Sequence, residues 1–287
     1  MDELEPGPQG LVTTELRAQA LAALCCADIE RKREQACALH AAADHLPLDS
    51  DALLEAPAGC VLPGRPGRPR LVPPKEVAQR SPFTPEGRAA LIHAICHIEF
   101  NAINLALDAV WRFAGMPRQF YLDWLRVAAE EAYHYGLLHE HLLTIPHPEP
   151  GRHWDYGDFD AHDGLWTMCR RTAHDITARM ALVPRTLEAR GLDATPQIQA
   201  KLRRVGTPDA LQAVGLLDII LRDEVGHVEI GNRWYRWLCE RDGQDPVALY
   251  GELVQRHQAP PLRPPFNQEA RLRAGFSRQE LDYLLGA

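Results

Sequence analysis

The sequence lacks every cysteine spacing that would organise a thiolate metal site or a disulfide framework. Its seven cysteines include no Cys-x-x-Cys pair, and their number is odd. A zinc ribbon and a rubredoxin-type iron site are therefore excluded, and a secreted disulfide scaffold is disfavoured. We expect most of these cysteines to be small apolar side chains of the core.

The sequence also lacks an excess of positive charge and any long apolar run. Lys and Arg number 31 against 39 Asp and Glu, a net charge of −8 over 287 residues. That balance argues against general nucleic-acid binding, which depends on neutralising phosphates. No stretch of about 18 apolar residues predicts a membrane helix, and the acidic start MDELEPGPQG is not typical of a secretory signal. We therefore expect a cytoplasmic protein without a membrane partner.

No alternating pattern typical of β-strands has a useful length, so the predicted fold class is all-α. The patterns predict three regions: an N-terminal helix with a wrapping connector rich in Pro, Gly and Arg, a four-helix bundle, and a helical tail that packs on it, at residues 1–83, 84–245 and 246–287. The N-terminal helix is predicted over residues 13–43, capped by Thr13 or Thr14. The connector's arginines are interpreted as part of a solvated loop rather than a phosphate site.

The bundle is predicted from four helical patterns, over residues 85–114, 117–143, 163–190 and 207–241. Gly191 is predicted to end the third helix, and Thr195-Pro196 to open a short extra one. In the tail, Ser277 begins a last helix in which Glu280 completes a capping box. Only two or three residues join the first two core helices, which makes them antiparallel neighbours. The segment between the second and third helices is about 19 residues, long enough to cross over along the whole bundle.

Each core helix carries a glutamate on its apolar face. Glu99 has apolar residues three, four and seven positions before and after it. A glutamate in a buried stripe requires a partner or a metal, because charged glutamate is almost never buried alone. The second and fourth helices each carry a Glu-x-x-His pair, in which both side chains project from one face. The predicted ligand set is therefore Glu99, Glu131, His134, Glu188, Glu224 and His227.

Four carboxylates and two imidazoles suit two divalent metal ions. Hard oxygen ligands with borderline nitrogen ligands fit iron best, with manganese as the alternative, and four glutamates offset the charge of +4. Asp223 and Glu130, which precede the paired glutamates, are predicted to accept N–H groups of the ligand histidines across the bundle. Their alternative role is ordinary surface pairing. His93 and His97 are interpreted as outer or interface residues rather than ligands.

The weakest member of the set is Glu188. It lies three residues before Gly191, the predicted end of its helix, and four residues after Pro184, which removes a backbone donor and kinks the helix. Two interpretations stay open. Either the helix continues past Gly191, or the site lies near one end of that helix. If Glu188 faces away, the cluster holds a single metal.

The order Glu, Glu-x-x-His, Glu, Glu-x-x-His resembles that of ferritin-like di-iron carboxylate proteins. Over roughly residues 84–245 the sequence also resembles an uncharacterised bacterial ferritin-like family, known as a domain of unknown function. The segments that carry this resemblance are HIEFNAINLALDAVWRF, DWLRVAAEEAYHYGLL, YGDFDAHDGLW, RMALVPRTLEARGLDATP and DEVGHVEIGNRW. The resemblance implies a ferritin-like four-helix bundle with a dimetal site, and it implies no substrate.

The function that we expect is an oxidoreductase with two irons that uses O₂ or peroxide, plausibly a hydroxylase or oxidase of an unidentified small molecule. An external electron donor and a second copy of the chain, in a homodimer, are possible partners of such an enzyme. A di-manganese catalase and a non-enzymatic iron-binding or storage protein are the alternatives. The resemblance to ribonucleotide reductase small subunits stops at Leu138, where those proteins place a radical tyrosine.

Overall fold

The computed structural model describes residues 15–286, and within that range the fold is helical with no β-strand. A single isolated parallel bridge joins Leu71 to Ala161. The helices, in chain order, are α1 Leu16–Cys25, α2 Ile29–Ala42, α3 Pro85–Arg112, α4 Arg118–Thr144, α5 Gly164–Arg171, α6 Ile176–Leu182, α7 Ala189–Val205, α8 Pro208–Arg241, α9 Pro246–Arg256, α10 Gln268–Arg273 and α11 Arg278–Gly286. The all-α prediction is confirmed for the described residues.

The prediction of one continuous N-terminal helix over residues 13–43 is wrong. The chain forms α1 and α2 instead, because the Asp28 side chain accepts the backbone N–H of Arg31 at 2.8 Å and starts a new helix. Glu15 caps α1 by accepting from the Ala18 N–H at 2.6 Å. The predicted caps Thr13 and Thr14 lie outside the described residues.

Helices α3 and α4 form the most extensive helix pair of the fold. The Thr84 hydroxyl caps α3 by accepting the Gly87 N–H at 3.1 Å. By length and average composition α3 is long and apolar enough to cross a membrane, but polar and charged residues interrupt it, so the prediction that no run of about 18 apolar residues occurs is not contradicted. Its most apolar window is 78% buried inside the fold, which is typical of the core helix of a soluble protein.

The predicted third helix over residues 163–190 is also wrong. The chain breaks after α5, restarts at Asp175, which caps α6, and then passes through a π-helical turn, Val183–Glu188, directly into α7. Gly191 lies inside α7 and does not end it, so the first of the two open interpretations is correct. The helical run ends at Gly206, whose φ of +71° is the left-handed conformation that glycine favours.

Pro196 does not open a new helix, because it lies inside α7. A proline there cannot donate to the carbonyl of Leu192, four residues earlier. The side-chain amide of Asn267 donates to that carbonyl instead, at 3.2 Å. The interior proline is therefore accommodated by a contact from the tail, which lies 75 residues away along the chain.

The connector and the crossover segment, residues 145–163, bind each other. The guanidinium of Arg65 lies 2.5 Å from Asp163, and that of Arg70 lies 2.5 Å from Asp160. The backbone N–H of Val72 donates to the Ala161 carbonyl at 2.8 Å. These connector arginines thus pair with acids of the crossover.

In the tail, the predicted capping box is confirmed, because the Ser277 and Glu280 side chains each accept the other's N–H, at 3.1 and 2.7 Å. Helix α10 was not predicted.

Candidate metal centre

The fold brings four carboxylate and imidazole side chains into one buried cluster. Each of Glu99, Glu131, His134 and Glu224 offers a ligand atom, and these atoms all lie within 4.8 Å of one another. The residues come from α3, α4 and α8, because the i, i+3 spacing of each Glu-x-x-His pair places both side chains on the inward face. The other two predicted ligands, Glu188 and His227, are also buried, at 8% and 0% exposed.

Glu131 lies between the two histidines. Its Oε2 is 3.5 Å from His134 Nδ1, and its Oε1 is 2.9 Å from His227 Nδ1. Each histidine also faces a further glutamate: His134 Nδ1 is 3.5 Å from Glu99 Oε2, and His227 Nδ1 is 3.7 Å from Glu224 Oε1. Both imidazoles therefore direct Nδ1 toward the carboxylates at the middle of the cluster.

The outer nitrogens of the two histidines point to the acids that precede the paired glutamates. Nε2 of His134 is 3.2 Å from Asp223, and Nε2 of His227 is 2.7 Å from Glu130. The contacts cross the bundle, since each acid serves the histidine of the other helix. An ionised carboxylate only accepts, so each Nε2 donates its N–H outward and each Nδ1 is available inward.

Among residues 15–286, the inner atoms of the cluster have no hydrogen-bond partner. Eight buried atoms share this property: Oε2 of Glu99, both oxygens of Glu131, both oxygens of Glu188, Oε2 of Glu224, and Nδ1 of His134 and of His227. Buried acceptors that face one another are costly unless a cation lies between them. Either metal ions or protons must occupy the middle of this cluster.

The pKa values of the cluster residues indicate which of them bind protons when no metal is bound. Burial and then the charge of nearby glutamates raise the pKa of Glu99, Glu188 and Glu224. Burial alone would lower the pKa of His134, but Glu131 and Glu99 raise it to about 11, because a protonated ring would donate to these carboxylates and be attracted by their charge. The pKa of Glu131 is lowered, although burial opposes this, because both histidines stabilise its charge. Without metal the cluster therefore retains protons, which bound metal ions would displace.

Glu188 is placed by the π turn that follows α6. Both of its oxygens are buried and have no hydrogen-bond partner among the described residues, and burial followed by the charges of Glu224 and Glu131 raises its pKa. The turn packs tightly against α8: a Cβ added to Gly231 would lie 2.5 Å from Pro184. Gly231 therefore permits close packing, and Pro184 fills the space beside it.

Side chains that the sequence analysis missed hold this turn. Arg185 donates to Asn232 at 2.7 Å and to Glu280 of α11 at 2.8 Å. The hydroxyl of Thr186 donates to the Ala181 carbonyl at 2.7 Å. The only signal in the sequence was Pro184, four residues before Glu188, which marked a distortion without giving its form.

His93 and His97 lie outside the cluster and bind the crossover. His97 Nδ1 is 2.8 Å from the Tyr156 hydroxyl, and His93 Nε2 accepts the Gly157 N–H at 3.0 Å. Burial lowers the pKa of His93 to about 4 and that of His97 to about 3, so both rings are neutral at physiological pH. They join the crossover to α3, six and two residues before Glu99.

The comparisons with known proteins agree with one another and supply no activity. A family model described as "Protein of unknown function (DUF455)" matches residues 25–282. A Haemophilus influenzae protein described as "Uncharacterized protein" is 50% identical over 226 residues, which cover 76% of this chain and 75% of the relative. No solved structure matches the chain significantly.

Proposed function

The chain belongs to the uncharacterised bacterial family DUF455, and because that description states no chemistry, we propose its function from the cluster itself: a dinuclear metal oxidoreductase, with iron as the metal, that uses O₂ or peroxide. The observation that carries the proposal is the buried cluster of Glu99, Glu131, His134 and Glu224, together with eight buried, unpartnered oxygen and nitrogen atoms on the six proposed ligands. A metal-free polar core of this kind would satisfy its donors and acceptors mutually, as buried networks do.

We propose six metal ligands: Glu99, Glu131, His134, Glu188, Glu224 and His227. A single ion cannot use all of these atoms, and Glu131 faces both histidines with a different oxygen toward each. Glu131 would therefore hold metal together with either histidine, and four carboxylates with two imidazoles would provide enough ligands for two ions. The mixture of oxygen and imidazole ligands suits iron, and manganese is the alternative.

The same observations support the finer description of the fold as a ferritin-like four-helix bundle. Its four members would be α3, α4, the helical run over residues 176–205, and α8, with residues 145–163 as the crossover. With Glu188 included, the proposed ligand set would draw on all four, as the metal sites of such bundles do. We keep the division into residues 1–83, 84–245 and 246–287 as part of this proposal.

Two bound irons would supply the redox chemistry that O₂ or peroxide requires, which protein side chains lack. The residues of the chain would hold and shield that centre. The four glutamates balance the metal charge, and Asp223 and Glu130 fix the orientation of the ligand histidines. Burial of the cluster excludes bulk water. The small side chains of Ala102 and Ala106, on α3 after Glu99, are fully packed, so substrate space there would require movement.

Loading the metal-free chain with Fe(II) or Mn(II), followed by O₂ and peroxide consumption assays, tests this function. We expect the iron form to consume O₂ when supplied with a reductant, and Glu131→Gln to lose that activity. Glu140→Gln, the same change at an exposed position of α4, is the control and should behave like the parent. Rapid peroxide disproportionation by the manganese form alone would favour a catalase. Uptake of far more than two irons per chain would favour storage.

The partners are proposed from the chemistry. Oxidation of a small organic substrate by O₂ with insertion of one oxygen atom consumes two further electrons, so the reaction would require an external electron donor. A homodimer and a cytoplasmic location complete the proposal, and neither nucleic acid nor a membrane is part of it. Sedimentation of the purified chain distinguishes a dimer of about 64 kDa, twice the chain mass of 32.2 kDa, from a monomer.

A further inference from the structure

The described cysteines are not mostly buried, contrary to expectation. Only Cys96, Cys169 and Cys239 are buried, whereas the four cysteines of the N-terminal region are half-buried or exposed. Two of these four, Cys25 at the end of α1 and Cys60 in the connector, line the same open cavity, which has a volume of about 470 Å³. They are therefore reachable by small molecules from solvent.

The two cysteines share one wall of this cavity, together with the connector residues Val61 to Gly64. Burial, and then a hydrogen bond with the Cys60 thiol, raises the pKa of Cys25 to about 12. At neutral pH Cys25 is thus a protonated thiol next to a second sulfur. Such a thiol is a poor first nucleophile, but it is well placed to react second, with a neighbouring sulfur that is already oxidised.

The backbone around the pair is already held in place. The Gly64 N–H donates to the Leu24 carbonyl at 2.8 Å, and the buried ammonium of Lys32 donates to both the Leu24 and Gly64 carbonyls, at 3.2 and 2.7 Å. A Cβ on Gly64 would lie 2.2 Å from the Cys25 carbonyl oxygen, so the connector approaches α1 at backbone distance. The approach of Cys60 to Cys25 does not depend on a chance movement of a free loop.

We propose that Cys25 and Cys60 are a redox modification site, at which hydrogen peroxide converts the two thiols into a reversible disulfide. In the reaction, the O–O bond of the peroxide breaks and one S–S bond forms. The two thiols together lose two electrons and two protons, and the peroxide is reduced to two molecules of water. A dithiol reductant reverses the reaction by exchange.

The bond would connect α1 to the part of the chain that holds the crossover. Five residues after Cys60, Arg65 pairs with Asp163, and the adjacent His162 carbonyl lies 3.2 Å from His97 Nε2. His97 is two residues before Glu99. The disulfide would therefore tether the connector where it binds the crossover, which in turn binds α3 close in sequence to Glu99. Its formation does not require the metal, so this proposal does not depend on the proposed function.

Peptide mapping of the full chain after treatment with hydrogen peroxide tests the proposal. Free thiols are alkylated, and the tryptic peptides are compared by mass spectrometry without reduction. Trypsin leaves Cys25 and Cys26 in one peptide, and Cys37 and Cys60 in another. We expect a cross-link between these two peptides that disappears on reduction and is absent from Cys25→Ser and Cys60→Ser. The matched controls Cys26→Ser and Cys37→Ser should retain it.

The melting temperature gives a second measurement that needs no variant. Closing the loop between Cys25 and Cys60 should raise the melting temperature of the oxidised parent by roughly 5–10 °C over the reduced parent. Two results would overturn the proposal. One is full alkylation of both thiols after peroxide treatment, and the other is a cross-link that survives in Cys60→Ser but is lost in Cys37→Ser.

Discussion

The two halves of the bundle present the same kinds of side chain through different backbones. In the first half, Glu99 lies in the middle of the unbroken 28-residue helix α3. In the second half, Glu188 ends a six-residue π turn between α6 and α7. Each half then adds a Glu-x-x-His pair from a long regular helix. The two halves therefore repeat the same types of side chain, but the backbone conformation that positions these side chains differs between them.

The difference shows where each half obtains its rigidity. Glu99 is held by the regular hydrogen bonds of its own helix and by the α3–α4 contact. The π turn that carries Glu188 is held by contacts from distant parts of the chain. Gly231 packs against Pro184, and Asn232 and Glu280 accept hydrogen bonds from Arg185. The second half should consequently be the one that fails when packing outside the centre is disturbed.

The largest effect is expected at the residue that both halves share. Glu131 faces both histidines, so in the proposed centre Glu131→Gln would remove the negative charge that lies nearest to both of them. The loss of metal affinity should exceed the roughly 10–100-fold loss that is typical when a residue that only hydrogen-bonds to a metal ligand is replaced. Metal analysis after dialysis measures this. Retention of two ions by Glu131→Gln, with Glu140→Gln as the control, would show that the ions bind elsewhere.

The symmetry of the two halves is tested by Glu188→Gln against Glu99→Gln. The amide keeps the size of the side chain but supplies no negative charge to the metal. If the halves are chemically equivalent, the two variants should lose metal, or slow the oxidation of bound iron, to a similar degree. Normal binding and oxidation in Glu188→Gln alone, beside a defective Glu99→Gln, would mean that the π turn does not deliver a ligand.

The crossed outer contacts predict a smaller and selective loss. Asp223→Asn leaves His134 with an uncharged acceptor, and Glu130→Gln does the same to His227. Each change should weaken metal binding by roughly 10–100-fold. Glu229→Gln, on the same helix as Asp223 but in contact with Arg233, is the control. Equal affinities in all three variants, measured by competition with a metal indicator, would remove any role for the outer acids.

The smallest effect concerns the packing that only the second half needs. Gly231→Ala forces a methyl group against Pro184, and such overpacking typically costs about 1–3 kcal/mol. Gly215→Ala on the same helix meets nothing within 4 Å and should instead stabilise by up to about 1 kcal/mol through helix propensity. Urea unfolding of both variants measures the contrast. Equal stabilisation by both substitutions would mean that the π turn moves away from the added methyl group at no cost in free energy.

The sequence was sufficient for the regular parts of this molecule. The bounds of α3, α4 and α8 follow from caps and from the 3.6-residue period, which act over a few neighbouring residues. The same period identified Glu131 and His134 as one face of a helix. The ligand cluster could be proposed because buried charge on an apolar stripe is costly in any fold.

The irregular parts could not be predicted, because distant residues determine them. Pro196 stays inside α7 only because Asn267 donates to the carbonyl that the proline leaves free. The π turn at Glu188 depends on the absence of a side chain at Gly231. Neither contact leaves a periodic signal along the chain, and local rules therefore ended the third helix too early.

The most direct test of the central claim is the number of metal ions that the full chain binds. Metal-free protein is titrated anaerobically with Fe(II), and bound iron per chain is measured by equilibrium dialysis with elemental analysis. Four carboxylates and two imidazoles around one centre predict saturation at about two ions per chain. The melting temperature should rise with them, because the unfolded chain has no such site. Saturation at one ion, or no binding, would contradict the dinuclear centre.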